Sequence, residues 1–488
     1  MQTNKATIEH SNKNYYWKAY FSVIVLSILA YLIIVGGKSV WGDEAYTFAM
    51  LKHSFGDMCS ITAADVHPPL YYILLKIFTY PFGYSLLSAK IFSIITYIAI
   101  IAFGGYHIRK IINERTAIMF MVLFLFYPFM LAYSLEVRMY SLAAMFVFMS
   151  AIYAYKVYSE DKKINIVLYA LFTLCSAYTH YFALMAAGIV FLELLVFVIK
   201  NKREKLKQLI IATAVMAIGF IPWLGKLLGQ LKEKSDNGFW IPPITRSTVI
   251  GYLKSVFGIN VIPHYEWLCK TFFYVCCLMF LAAFIYAIIK LKNKNNALAI
   301  LAILVPIFVM VIGIGVSVAY KPVFITRYIV PTIPLLLLFA AIVLGEINNK
   351  WISALVLAIV IIGGCFNYVH QYKIEYRDIK SMLTTERLQK HKADACVTDI
   401  NGTFSAVIAY YDDKLPIYAR QTQKEAANPY PHTYFIDKFD HKKYNRVLLL
   451  VPCKTQPSSM FTDYYKAEYV GTKYQQEEWA DAYMLTKK

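Results

Sequence analysis

Charge is scarce in this sequence, and negative charge most of all. Only 16% of the 488 residues are charged, with 30 Asp and Glu against 49 Lys and Arg, whereas a soluble globular domain carries roughly 25%. Hydrophobic residues reach 59% and mean hydropathy is +0.49. A soluble fold has no interior able to hide that much apolar surface, so lipid must act as a second solvent. The same figures exclude a disordered chain, a collagen-like repeat and a small disulfide-framed secreted domain. Metal-type cysteine spacing is missing as well: the eight cysteines include no Cys-x-x-Cys pair and no Cys/His cluster with zinc spacing. Cys175, Cys269, Cys276, Cys277 and Cys365 sit in or beside apolar runs, as small buried hydrophobes do. Cys396 and Cys453 fall in a polar tail and give little ground for a disulfide between them. No repeat at a fixed period is found.

Long apolar runs are what the sequence has in abundance. Trp17 to Gly37 is long enough to span a bilayer and no small-residue cleavage site follows it, so it reads as a retained helix. Further spans are expected at about 86–108, 116–134, 139–157, 166–181, 182–199, 209–225, 268–289, 297–319, 328–345 and 352–369, for about eleven in all. The net charge of +19 then has a membrane explanation, and no nucleic-acid partner is inferred. Basic residues cluster between alternate runs, as in Lys200-Asn201-Lys202-Arg203-Glu204-Lys205 and Lys290-Leu291-Lys292-Asn293-Lys294, while the short intervening connections hold only Arg138, Lys321 and Arg327. That asymmetry predicts a multi-pass protein of the cell membrane with a cytoplasmic N-terminus and an extracytoplasmic C-terminus.

Three outer segments are longer. The first covers about 38–85 and contains an apolar stretch from His67 to Phe82 interrupted by Pro68, Pro69 and Pro81, which suits an interfacial or re-entrant helix. The second covers about 226–267 and includes Phe239-Trp240-Ile241-Pro242-Pro243. The third is the tail, 370–488, whose charge is close to balanced. Strands are expected at Ala395-Cys396-Val397, Leu415-Pro416-Ile417-Tyr418 and Arg446 to Val451, and helices at Ile374 to Leu388 and Thr403 to Tyr411. The expected architecture is an all-α polytopic membrane domain over 1–369 and a small extracytoplasmic α/β domain over 370–488.

Against the scarcity of acids, Trp41-Gly42-Asp43-Glu44-Ala45-Tyr46 stands out: two adjacent carboxylates where the first span leaves the membrane. Ionisable groups near hydrocarbon usually face a cavity or a partner, but the pair also suits a solvated helix N-terminus answering the dipole. At helical spacing two neighbours cannot both point into one site, so at most one is the reacting group. Asp65-Val66-His67-Pro68-Pro69 follows on the same face, where the prolines fix how Asp65 and His67 project. Two such ligands do not make a metal site without a third, which Asp43 would have to supply. In Tyr133-Ser134-Leu135-Glu136-Val137-Arg138-Met139-Tyr140, Glu136 and Arg138 either pair with each other or offer a guanidinium to a phosphate. His180 and Tyr181, in Tyr178-Thr179-His180-Tyr181, suit a hydrogen-bonded interfacial position. Lys321 and Arg327 can snorkel to headgroups or hold a lipid-linked phosphate. All these clusters fall on one face of the membrane. A carboxylate to take an acceptor's proton and cations to receive a departing phosphate are what sugar transfer from a polyprenyl phosphate requires.

Taken in order, Trp-Gly-Asp-Glu-Ala-Tyr, His-Pro-Pro-Leu-Tyr-Tyr, Glu-Val-Arg-Met-Tyr-Ser-Leu, Thr-His-Tyr and the late Arg-Tyr-x-x-Pro resemble a bacterial family of integral-membrane glycosyltransferases with the GT-C fold. That family is similar to protein O-mannosyltransferases and to the lipid A aminoarabinose and Rgt-type sugar transferases. The likeness covers roughly 15–345. It implies Asp43 as general base, Glu44 as a neighbour shaping the site, His67 as a lining residue, Arg138 as a donor-phosphate contact, and Arg327 with Lys321 at the lipid-phosphate head. Glu136, His180 and Tyr181 would complete the substrate surroundings. Where aminoarabinose transferases have Glu-Lys before the paired prolines, this chain has Val66-His67, so metal dependence is not carried over; no cofactor is inferred, and a divalent metal stays open. The implied reaction is a single inverting displacement between a polyprenyl-phosphate sugar and a hydroxyl of a cell-envelope glycan, lipid or protein. The competing reading is a transporter or flippase of lipid-linked sugars, which favours internal repeats and ionisable groups inside spans; apart from Glu193 the spans are nearly free of acids.

Overall fold

The structure is a computed structural model that describes residues 2–37, 40–232, 241–259, 266–290, 296–376, 385–400, 402–420, 427–475 and 478–488. In chain order its helices are α1 (Gln2–Ile34), α2 (Gly42–Leu51), α3 (Phe55–Ala64), α4 (Leu70–Thr79), α5 (Leu86–Ile111), α6 (Glu114–Phe126), α7 (Pro128–Leu135), α8 (Tyr140–Ser159), α9 (Lys163–Thr179), α10 (Tyr181–Asn201), α11 (Leu206–Lys232), α12 (Arg246–Phe257), α13 (Glu266–Lys290), α14 (Asn296–Ala319), α15 (Ile333–Glu346) and α16 (Lys350–Glu375). The tail continues as α17 (Thr385–His391), β1 (Ala395–Thr398), α18 (Gly402–Tyr411), β2 (Ile417–Ala419), β3 (Thr433–Phe435), β4 (Arg446–Pro452), α19 (Ser459–Thr462), β5 (Tyr465–Gln475) and β6 (Glu478–Lys487). Two compact units emerge: Met1–Val35 with Lys90–Tyr372, and Gly36–Ala89 with Lys373–Lys488. Residues 36–89 therefore group with the tail, whose own start falls at Lys373.

In the first unit, every expected span coincides with helix. Among the described residues nine helices are long and apolar enough to cross a membrane, and α6 with α7 makes a tenth bent by 66°. Pro128 explains the bend, because the residue before a proline is pushed out of helical geometry; Tyr127 sits at φ −71, ψ 115. The remaining expected span is α9, whose 17 residues reach about 26 Å at 1.5 Å per residue. Small residues let these helices close on one another. A Cβ on Gly105 would meet Met121 Sδ at 2.5 Å and the Tyr20 ring at 2.8 Å, and the Tyr16 hydroxyl donates to the Gly105 carbonyl at 2.7 Å. The expected outer segment 226–267 is shorter than anticipated because α11 runs on to Lys232. Phe239 and Trp240, and 377–384 of the expected helix Ile374 to Leu388, lie outside the described residues.

In the second unit the described strands form one sheet in the order β3-β2-β1-β4-β6-β5. The pairs β1–β2, β1–β4 and β2–β3 are parallel, and β4–β6 and β5–β6 antiparallel. Strand β4 alternates between two cores, Leu448 and Leu450 joining Phe404 and Ile408 on one face. Val447, Leu449 and Val451 join Tyr418 and Phe461 on the other. Burial on both faces is why its sequence is an unbroken apolar run. Helix α18 covers the first face and also packs on α2, with Ala406 and Val407 against Val40 and Ala45. Gly42 permits this: a Cβ there would come within 3.2 Å of the Thr403 Cα. Cys396 is buried in the sheet and Cys453 exposed, both as free thiols.

The C-terminal end of α8 is held by one lysine. Lys205 Nζ donates to the carbonyls of Val157 at 2.8 Å and Glu160 at 2.7 Å and meets Asp161 Oδ1 at 2.8 Å. It thus satisfies carbonyls that the helix end leaves without partners. Lys205→Met keeps the length and apolar stem but strips the donors, and should cost about 1–3 kcal/mol, read as a lower Tm of the purified protein in detergent. Asp161→Asn should change Tm little, since Asp161 is exposed.

Candidate active site

The residues singled out in the sequence fall into both units. In the second unit, Trp41 has extended backbone and caps α2, so Asp43 and Glu44 lie in its first turn, where negative charge answers the helix dipole. The Glu44 carboxylate folds back and accepts from the Trp41 N–H at 3.2 Å. An indole offers a donor and no acceptor, so this is the glutamate half of a capping box standing alone. Glu44 is buried, while Asp43 remains half-buried. The adjacent acids are thus inequivalent: Glu44 serves the helix start.

Asp65 caps the C-terminus of α3, and its Oδ2 lies 3.4 Å from His67 Nδ1. Pro69 then begins α4, which is too short to span, and the apolar side chains Ile77, Tyr80 and Phe82 around its end are exposed. Tyr46 of α2 stands edge-on to Tyr72 of α4 at 6.1 Å, tying the helix that carries Asp43 to the one that His67 precedes. Among the described residues no group of three or more His, Cys, Asp or Glu is placed to hold a metal ion.

In the first unit, Glu136 caps α7. Its carbonyl accepts from the Arg138 N–H at 2.8 Å and from Ser93 Oγ at 2.8 Å, which fixes a tight turn with Arg138 buried at 4% exposure. Tyr140 is the hub. Its ring lies 5.5 Å from Tyr133 and 5.8 Å from His180, and the Arg327 guanidinium is 5.9 Å from its centroid. The charges of Arg327, Arg138 and Glu136 all act on its hydroxyl. Glu136, Arg138, His180 and Arg327, separated by up to 191 positions, are therefore gathered around one phenol. His180 caps α10, its Nδ1 accepting from the Phe182 N–H at 3.1 Å, with its ring 5.0 Å from Tyr328. Tyr181 is engaged elsewhere: its hydroxyl bonds Gln230 and accepts from Trp223 Nε1 at 3.0 Å, both on α11. Lys321 precedes Arg327 in the connection after α14, half-buried, its ammonium 6.0 Å from the Tyr320 ring.

Comparison with known proteins bears on this architecture. ArnT from Cupriavidus metallidurans aligns in its apo state at TM-score 0.62 and 12% identity, over 95% of this chain and 97% of that one. Its structure bound to undecaprenyl phosphate aligns at TM-score 0.62 and 13% identity, with the same coverage. The fold is the GT-C fold. The arabinofuranosyltransferase AftD from Mycobacteria is a further neighbour, at TM-score 0.56 and 10% identity over 96% of this chain and 40% of that one. Residues 43–244 match a family described as a domain of unknown function, DUF6311. Among the curated proteins the sequence finds no match.

On this GT-C frame the sequence reading passed over Lys90. It is 1% exposed near the start of α5, three residues before Ser93, and so shares the helix face that bonds the Glu136 carbonyl. Its signal in the sequence is a lysine inside an apolar run, which is as costly there as an acid. Tyr140 and Tyr328 were missed because an aromatic at a helix start has no signature of its own.

The capping role of His180 makes a distinct prediction. His180→Ala should lower stability by about 1 kcal/mol, and His180→Asn, whose side-chain oxygen also caps, should recover most of it. Paired thermal melts of the two variants are the check. Equal melts would place the role of His180 outside the cap.

Proposed function

We propose that this protein is a glycosyltransferase that moves a sugar from a polyprenyl-phosphate donor to an acceptor hydroxyl on the outer face of the membrane. The observation that carries the reading is the likeness along 95% of the chain to a GT-C structure bound to undecaprenyl phosphate. The gathering of Arg138 and Arg327 around Tyr140 supports it, because a diphosphate-free lipid phosphate leaves as an anion and needs fixed cations to receive it. Asp43 is the general base. Glu44 is occupied with the start of α2, and the acceptor's proton goes to Asp43 as its oxygen attacks the anomeric carbon opposite the phosphate. The configuration inverts. No general acid is required on the leaving side, unlike the two-carboxylate arrangement of glycoside hydrolysis.

In an assay of radiolabel leaving a polyprenyl-phosphate sugar, Asp43→Asn should lose on the order of 10²–10⁴ in turnover. Glu44→Gln should lose less and show its effect in Tm as well. Native transfer by Asp43→Asn with a dead Glu44→Gln would exchange the two roles. Label crossing the bilayer without sugar transfer would make the protein a flippase. On the cation side, Arg138→Lys should weaken donor use and Arg138→Ala weaken it more, since a guanidinium can grip two phosphate oxygens at once.

The orientation belongs to the same proposal, with the N-terminus cytoplasmic and the tail outside. Cys453, exposed on the tail, should react with an impermeant maleimide in intact cells, and Cys453→Ser should remove that label. In the Cys453→Ser background Asn295→Cys should stay unlabelled until the cells are opened. The reverse pattern would put Asp43 in the cytoplasm.

A further inference from the structure

The second unit contains a cavity of about 400 Å³ that none of the expected site residues lines, within the range of small-molecule sites. One wall is α2, which contributes Ala45, Phe48, Ala49 and Lys52, the i, i+3, i+4, i+7 face of a single helix. The opposite wall comes from the end of α18 and the segments that flank β2 and β3. Tyr84, Tyr410 and Tyr430 line it while half-buried, so each keeps ring surface toward the space. Tyr410 meets Phe48 at 5.0 Å. Tyr84 follows Gly83, both in left-handed backbone at φ 58 and φ 66. For a tyrosine this is an uncommon conformation, held by its surroundings.

The polar groups at this cavity lack a net cation. Lys52 is neutralised by Asp413 at 2.7 Å, and the pair holds the Asp413 carboxyl below its ordinary range. The His53 ring bonds the Pro429 carbonyl at 2.8 Å. Asp412 adds a further carboxylate. Thr433, the first residue of β3, brings a hydroxyl to the lining. Burial pushes the Tyr410 phenol up to about 12, with the charge of Glu44 adding to it, so it stays a hydrogen-bond donor at neutral pH.

We propose that this cavity binds a short neutral oligosaccharide, with sugar C–H faces on the tyrosine rings and hydroxyls on Asp412, Asp413 and Thr433. Aromatic faces are negative and attract the partly positive C–H bonds of a pyranose. Carboxylates accept from hydroxyls and would repel a phosphate or carboxylate ligand. Asp43 begins the helix whose later residues form the wall, so a glycan held here lies along the element that carries the base. That this glycan is the acceptor rests on the transferase reading; that the cavity binds it does not.

The test is saturation-transfer NMR on the full chain in nanodiscs with maltotriose, mannotriose and triacetylchitotriose, alongside anionic phosphatidylglycerol vesicles and an unstructured hydroxyl-rich peptide as competitors. At least one trisaccharide should bind. Tyr410→Ala should weaken it about tenfold or more. Thr433→Val, which keeps shape and fold, should weaken it about three- to tenfold. Undecaprenyl-phosphate binding should be unchanged in both variants. If no trisaccharide binds, if Thr433→Val binds as tightly as the native chain, or if vesicles or peptide displace the sugar, the proposal is overturned. Binding without any transfer of sugar from a polyprenyl donor would leave the cavity as a glycan site and overturn the transferase reading instead.

Discussion

An unpaired charge or backbone polar group in hydrocarbon costs about several kcal/mol, and this one constraint decides where chemistry can live in the chain. The polar residues with a functional claim sit almost without exception where a helix begins or ends. Asp43 and Glu44 open α2, Asp65 closes α3 and His67 precedes α4. Glu136 closes α7, Arg138 stands before α8, and His180 opens α10. Helix ends leave backbone groups unmade, so polar side chains are admitted there for structural reasons first. Each of these residues stands where the membrane already tolerates a polar group.

That double use separates neighbours that look alike in sequence. Glu44 and Asp43 are one bond apart, yet Glu44 is turned back onto the Trp41 N–H. His180 is a cap whose ring also faces Tyr140 and Tyr328. Arg138 owes its tight position to the Glu136 carbonyl, which Ser93 holds from α5. In each case a hydrogen bond to the backbone ties the residue to a helix end. Electrostatic catalysis requires such placement, because dipoles that must reorganise during reaction give up much of their effect.

The sheet and α18 follow soluble-protein rules. Strand β4 is apolar on both faces because both are covered, and α18 is shared between the sheet and α2. At Gly42, unremarkable as a residue, an added Cβ would press on Thr403 of α18. The motif around Asp43 therefore carries packing information for a helix some 360 residues later.

Much of this was legible in the sequence for a physical reason. Spans are read from composition because insertion into lipid is decided segment by segment, and all eleven expected runs fall on helix. Strands β1, β2 and β4 and helix α18 were legible for the same reason, as short apolar runs with sharp borders. Strands β5 and β6 were not, since Tyr465 to Gln475 alternates polar residues and a glycine on a sheet edge, and its pairing with Glu478 to Lys487 is set by the partner. Nor could the sequence say that residues 36–89 group with the tail, that Glu44 caps its own helix, or that Lys90 is buried beside Ser93. Those depend on contacts between residues far apart in the chain or on the direction of one side chain. Hydropathy is a sum over neighbours in sequence, and neighbours in space are chosen only when the chain folds.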